Sequence, residues 1–164
     1  MAILALITLI ERRPLASILL KRPRGKDIET AFTYWGIAMA WSWLAMTLFP
    51  TRQDAGTAEM VALSIPVLLA MIVTTAITEE ILFRGYPIER LNELTGSNWI
   101  GPAVSLGVFL VPHLTFFGPT WLLYHGSGTI MIYALYLRRR NLIACMILHF
   151  LVNVPILIPA LGLV

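Results

Sequence analysis

The sequence predicts an all-α, polytopic transmembrane helix bundle of about five full spans, preceded by a short N-terminal apolar segment. Three observations carry this reading. The chain is 58% hydrophobic and only 13% charged, about half the charge of a soluble domain, and its mean hydropathy is +0.79. Its apolar residues gather into long blocks, and a block of ~20 crosses a bilayer as a helix. Its basic residues sit in short loops between those blocks, which is the pattern of membrane orientation. The formal net charge of +3 is therefore read as topology, with no nucleic acid as partner.

At 164 residues the chain has room for one domain, not comfortably for two. Met1 to Ile10 is apolar but too short to span. It lacks a basic leading region and a cleavage site, so it reads as the end of a longer first helix or as a shallow anchor. Residues 11–29, ERRPLASILLKRPRGKDIE, hold six basic and three acidic residues and two prolines, and read as a loop or surface-lying segment. A second block runs from about Thr30 to Phe49 and contains Trp35, Trp41 and Trp43. Pro50 to Glu59 is a short polar loop. A third block runs from about Met60 into the paired carboxylates Glu79 and Glu80. Arg84 to Asn98 is polar and mixed in charge, an amphipathic extension with a turn at Gly96. A fourth block runs from Trp99 to Phe117, where Gly118 and Pro119 interrupt it. A fifth runs from Trp121 to Leu137 and stops at Arg138, Arg139 and Arg140. The sixth runs from Asn141 onward.

Five spans from the second block onward put residues 12–26 and 138–140 on one side, and their positive charge makes that side cytoplasmic. The 84–98 stretch falls there too, and the 50–59 and 118–120 loops fall opposite. Trp99 and Trp121 stand at block ends, where indoles favour the interface.

Ionisable groups are costly in a bilayer and tend to face the interior and mark function. The candidates are Glu79, Glu80, Arg84, His113, His125, His149 and the amide of Asn153. On a helix Glu80 and Arg84 share a face and pair, while Glu79 points about 100° away. Phe109 stands one turn before His113, and His149 one turn before Asn153. Carboxylate and imidazole are the usual groups for activating water by general base catalysis. A second imidazole and an amide N–H can stabilise an oxyanion. Together they suffice for hydrolysis of an amide bond without a covalent intermediate. His125 reads as a hydrogen-bonding strut between helices, and the Glu80–Arg84 pair is open to a purely structural reading.

Other intramembrane chemistries leave weaker traces. The zinc protease motif H-E-x-x-H is absent. The aspartates Asp27 and Asp54 both fall in loops, which removes an aspartyl dyad. Ser127 in HGSG, with His149 as base, is the best serine nucleophile, but small residues in membrane helices more often serve packing. Cys145 shares a helical face with His149, yet a thiol in a lipid-embedded helix is usually inert. As the single cysteine it excludes an internal disulfide and a cysteine metal cluster.

EEILFR fits E-E-x-x-x-R, FLVPH fits F-x-x-x-H, and HFLVN fits H-x-x-x-N. In order and separation these resemble the CAAX protease and bacteriocin-processing (CPBP, or Abi) family, which includes the type II CAAX prenyl endopeptidase. The resemblance covers roughly Met60 to Pro155, with FRGY after the Glu pair. Each motif alone is weak; three in order on three hydrophobic segments are strong. The resemblance implies an intramembrane endopeptidase in residues 60–164, with residues 1–59 supplying the apolar segment, basic loop and first full span. Glu79 and His113 would activate water, His149 and Asn153 would form the oxyanion site, and Glu80, Arg84 and Phe109 would support it. It implies a peptide or protein substrate, prenylated or bacteriocin-like, a place in the plasma (inner) membrane, and a site opening toward the cytoplasm. Zinc, for which Glu and His can serve as ligands, is not favoured, so no cofactor is expected. The front of the chain is short for the family, as if a leading helix were missing. The alternative is a non-catalytic membrane immunity or peptide-binding protein using the same polar cavity.

One tension remains in this reading. Glu79 falls near the cytoplasmic end of its block, whereas His113 lies ~21 Å into the next at 1.5 Å per residue. Either the third block runs deeper, or the fourth begins outside the bilayer.

Overall fold

The computed structural model describes residues 2–50 and 54–162; the middle of the expected 50–59 loop, residues 51–53, lies outside them. The described chain is all-helical, 84% helix without strands. A short helix α1 (Ala2–Ala5) runs into a π-turn (Leu6–Ile10). The long helices are α2 (Gly25–Leu48), α4 (Ile65–Glu79), α6 (Ile100–Phe117), α7 (Thr120–Arg139) and α8 (Leu142–Asn153). Between or after them come α3 (Ala55–Val61), α5 (Tyr86–Thr95) and α9 (Leu157–Ala160).

Three of the five expected spans are long and apolar enough to cross a membrane: Ile65–Thr95, Ile100–Phe117 and Leu142–Ala160. Helices α2 and α7 have the length, but Trp, Tyr, Thr, Ser and Gly dilute their apolarity.

The first of those spans resolves the depth tension. Helix α4, a π-helical segment (Glu80–Gly85) and α5 form one continuous 31-residue helix. The carboxylates therefore sit near its middle, not at its end. The segment 84–95 continues the helix to the αL cap at Gly96, φ +68°, a conformation that costs glycine nothing.

Two boundaries differ from the sequence reading. The polar stretch after residue 50 folds into α3, because Asp54 accepts from the backbone N–H of Thr57 at 2.8 Å and caps it. The chain then breaks at 62–64, and α4 starts with Pro66 in its first turn. Helix α2 begins at Gly25, five residues before the apolar block, because Asp27 accepts from the Arg24 N–H at 2.8 Å.

Ala31, Ala38 and Ala45 recur every seven residues along α2 and are buried. Their small side chains let α2 lie close to α7 and α8. Trp35 Nε1 donates to the Leu151 carbonyl at 3.0 Å, Trp41 Nε1 to Leu123 at 2.8 Å, and Ser42 Oγ to Tyr124 at 2.6 Å.

The two ends of the bundle differ in charge. At one, the basic end, Arg90 binds Glu11 (2.6 Å), Arg13 binds Glu93 (2.6 Å), Arg139 binds Asp27 (2.7 Å) and Arg140 binds Glu89 (2.5 Å). The hydrogen bond from Arg90 holds the Glu11 carboxyl below its usual range. The segment 15–22 is fastened there to the start of α8: Leu142 N–H donates to Leu19 O at 3.0 Å, and Asn141 Nδ2 donates to Lys21 O at 3.2 Å. At the far end stand α3, the turn at Gly118, and α9. Phe116 and Phe117 of α6 cover Gly56 there so closely that a Cβ would lie 2.7 Å from the Phe116 ring.

Candidate active site

The π-segment begins at Glu80, and its side chain points into the bundle with no exposed surface. Glu80 Oε1 accepts from Arg84 Nη1 at 2.5 Å, so the expected pair forms. The same oxygen also accepts from His149 Nδ1 at 2.7 Å. A carboxylate can only accept, so Nδ1 of His149 carries a proton. Glu80 thus links the π-segment to α8, a role beyond its pairing with Arg84.

Arg84 is fully buried, and its Nε and Nη2 find no hydrogen-bond partner among the described residues. Its guanidinium lies instead between two aromatic faces, 4.6 Å from the Phe109 ring centroid and 4.5 Å from that of Tyr133. Desolvated cation–π contacts are worth ~2 kcal/mol each and partly offset the missing hydrogen bonds. Tyr133 is held by Ser105 of α6, whose hydroxyl is 2.8 Å from the phenol oxygen and also donates to the Phe83 carbonyl. The aromatic clamp therefore joins α6 and α7 to the π-segment.

Glu79 leaves the helix in another direction, as the geometry of adjacent residues requires. Its Oε2 lies 3.9 Å from His113 Nε2 and 3.8 Å from His149 Nε2. That oxygen is buried and has no hydrogen-bond partner among the described residues. These separations are too long for direct hydrogen bonds, and they leave room for a water at ~2.8 Å from each atom to bridge them. His113 Nδ1 lies 2.8 Å from the Phe109 carbonyl. A carbonyl also can only accept, so Nδ1 is protonated, and Nε2 is the ring nitrogen turned toward Glu79. The His113 ring stacks on Phe109, 4.1 Å between centroids, and packs against Trp121 at 4.8 Å.

Glu79, His113, His149, Asn153 and Phe109 line one cavity of about 770 Å³. Asn153 stands one turn beyond His149 on its wall, and its side-chain amide makes no hydrogen bond to another described residue. His125 does not act as the expected strut: it too lines the cavity, beside Trp121, and its side chain makes no hydrogen bond to a described residue. The rest of the wall is largely apolar, with Met39, Met46, Met60, Met71 and Phe116.

The other nucleophile candidates face elsewhere. Ser127 Oγ donates to the Ala38 carbonyl at 3.4 Å, across the α7–α2 interface. Cys145 is fully buried in the packed core, with Sγ 4.0 Å from the Ile132 carbonyl. Among the described residues no three His, Cys, Asp or Glu side chains gather closely enough to hold a metal ion.

Sequence reasoning missed Ser105, Trp121 and Tyr133. The tyrosine had a signal: a phenol inside an apolar block needs a partner for its hydroxyl.

The cavity has a direction. Its wall is built from the second half of α2, from α3 and α4, from the end of α6, the start of α7, and the end of α8 with α9. All of these lie toward the far end. On the basic side the interior is filled by Ile18, Ile88, Leu135, Tyr136, Leu142 and Leu148, each without exposed surface.

The sequence matches the family described as type II CAAX prenyl endopeptidase Rce1-like over residues 61–155. No curated protein and no solved structure gives a match.

Proposed function

The chain belongs to the type II CAAX prenyl endopeptidase Rce1-like family, and we propose that it is an intramembrane endopeptidase with Glu79 as its general base. The family suggests CAAX-type protease activity, a peptide or protein substrate and a membrane setting. The observation that carries the mechanism is the partnerless Glu79 Oε2, 3.8–3.9 Å from two imidazole Nε2 atoms.

In this mechanism a water sits between Glu79 and His113. Glu79 takes its proton as the oxygen attacks the scissile carbonyl carbon, and the bare His113 Nε2 accepts the second hydrogen bond and aligns the water. The tetrahedral oxyanion is met by the Asn153 amide and by His149 Nε2–H. That last role requires His149 to carry both protons, since Nδ1–H already donates to Glu80. Protonated Glu79 then returns its proton to the leaving amine. Glu80 and Arg84 orient His149, and Phe109 supports both His113 and Arg84.

No cofactor takes part in this scheme. Zinc is the competing reading of the same side chains, and a chelator separates the two: cleavage that persists in excess phenanthroline supports the metal-free reading, and loss restored by zinc defeats it. The plasma (inner) membrane is the proposed location, and a prenylated or bacteriocin-like peptide the proposed substrate. The non-catalytic alternative is tested in cells. If replacing Glu79, His113 and His149 together leaves the phenotype of the parent, the cavity binds without cleaving.

A further inference from the structure

We propose that the basic end of the bundle binds one anionic phospholipid, whose phosphodiester headgroup seats in the groove between the start of α2 and the end of α7. This groove shares no residue with the cavity that holds Glu79, and the inference is independent of the endopeptidase reading.

Helices α2 and α7 lie antiparallel: Arg139 meets Asp27 at one end, and Tyr124 meets Ser42 at the other. A groove of about 410 Å³ opens between them at the basic end. Of the three arginines that close α7, Arg140 binds Glu89 and Arg139 binds Asp27. Arg138 has no carboxylate partner among the described residues, and its contact with the Tyr34 hydroxyl is a long one, 3.4 Å from Nη1. Lys26, exposed on the other wall, also has no ion-pair partner among them. Asp27 engages Arg139 through Nε, and the two Nη groups make no hydrogen bond to a described residue. The Tyr34 oxygen accepts from Arg138, which leaves its own O–H without an acceptor among the described residues. Lys26, Arg138, Arg139 and Tyr34 thus offer unused donors around one groove, the arrangement that phosphate oxygens satisfy.

Charge and acceptors narrow the occupant. Asp27 neutralises Arg139, so Lys26 and Arg138 against Glu29 leave one net positive charge, which a single phosphodiester balances. Thr30 and Thr33 give their hydroxyl protons to the Lys26 and Glu29 carbonyls, at 2.6 and 2.9 Å, so their oxygens remain as acceptors beside the unpaired Glu29 carboxylate. Those acceptors suit a headgroup that carries hydroxyls, as a glycerol headgroup does; choline offers no donor. Further along α2 the side chains Phe32 and Ile37 are half-exposed and supply apolar surface for an acyl chain. A free phosphate ion would leave both the acceptors and this surface unused. Basic pockets between membrane helices at the interface bind anionic headgroups in this way.

The experiment titrates the purified full chain in detergent with palmitoyl-oleoyl phosphatidylglycerol and reads bound lipid by native mass spectrometry. The expected result is one tightly retained phosphatidylglycerol, with phosphatidylcholine and phosphatidylethanolamine of the same chains bound at least about tenfold more weakly. Lys26→Gln with Arg138→Gln is expected to lower the affinity about tenfold or more, with the lipid-free unfolding midpoint near the parent value. Tyr34→Phe removes one donor and no charge, keeps the test if the double variant does not fold, and is expected to weaken binding about fivefold. Lys21→Gln with Arg22→Gln removes the same charge outside the groove and is expected to change the affinity less than about twofold. Equal binding of phosphatidylcholine, an equal loss in the Lys21 and Arg22 variant, unchanged binding by Tyr34→Phe, or displacement of the lipid by millimolar inorganic phosphate would each overturn the proposal.

Discussion

Replacing Arg84 by methionine is the sharpest test of how the site is held. The substitution keeps an unbranched side chain of similar reach between the Phe109 and Tyr133 rings but removes the cation. Glu80, which has no exposed surface, then keeps only the 2.7 Å bond from His149. Stranding one member of a buried ion pair costs about 3–5 kcal/mol. The remaining histidine donor places the expected loss at the lower end, about 3 kcal/mol. For a chain of this size that lowers the unfolding midpoint by about 6–12 °C. The assay is thermal unfolding in detergent at a fixed scan rate, followed by the fluorescence of the five tryptophans. Glu80→Gln added to Arg84→Met removes the stranded charge yet keeps an acceptor for His149, so the double variant should recover more than half of the shift. An Arg84→Met protein melting within about 1 °C of the parent, or a double variant no better than the single, would refute the buried-pair argument.

Two further predictions follow from contacts around the same helix. Tyr133→Phe keeps the ring over Arg84 and loses only the Ser105 hydrogen bond, at a cost of about 1 kcal/mol. Tyr133→Leu also loses the cation–π face, a further ~2 kcal/mol, so the leucine variant should melt distinctly lower and lose more activity; equal melting points would argue against the clamp. Gly101→Ala puts a Cβ 2.7 Å from the Ile88 carbonyl and 3.1 Å from its Cα. Backbone cannot yield there, so α5 and α6 must separate at about 1–3 kcal/mol, and an unchanged midpoint would mean that the two helices are less closely packed than described.

Much of this arrangement was legible in the sequence, for reasons that particular residues make plain. Charge inside apolar blocks is rare enough that Glu79, Glu80, Arg84, His113 and His149 stood out, and four-residue spacing correctly paired Glu80 with Arg84. The π-segment was not legible, because nothing in EILFRG, including its terminal Gly85, distinguishes a π-turn from an α-turn. The polarity of 84–98 placed the carboxylates at the end of their block, whereas the helix runs on to Thr95 and leaves them near its middle. Helix α3 was hidden by reading Asp54 and Thr57 as loop polarity instead of a cap. Which half of the bundle is filled was not legible either, because it depends on contacts distant in sequence, such as the Leu142 side chain against Gly85.

The central claim is that Glu79 is the base that activates water. It is tested most directly by purified Glu79→Gln protein in liposomes, with cleavage of a fluorogenic CAAX-type peptide, farnesylated or unmodified, compared with the parent. The exchange preserves shape and removes only basicity, so the unfolding midpoint should stay near the parent value. The account predicts loss of cleavage by about 10²-fold or more, the contribution typical of a general base. A folded Glu79→Gln protein that cleaves at the parent rate contradicts it.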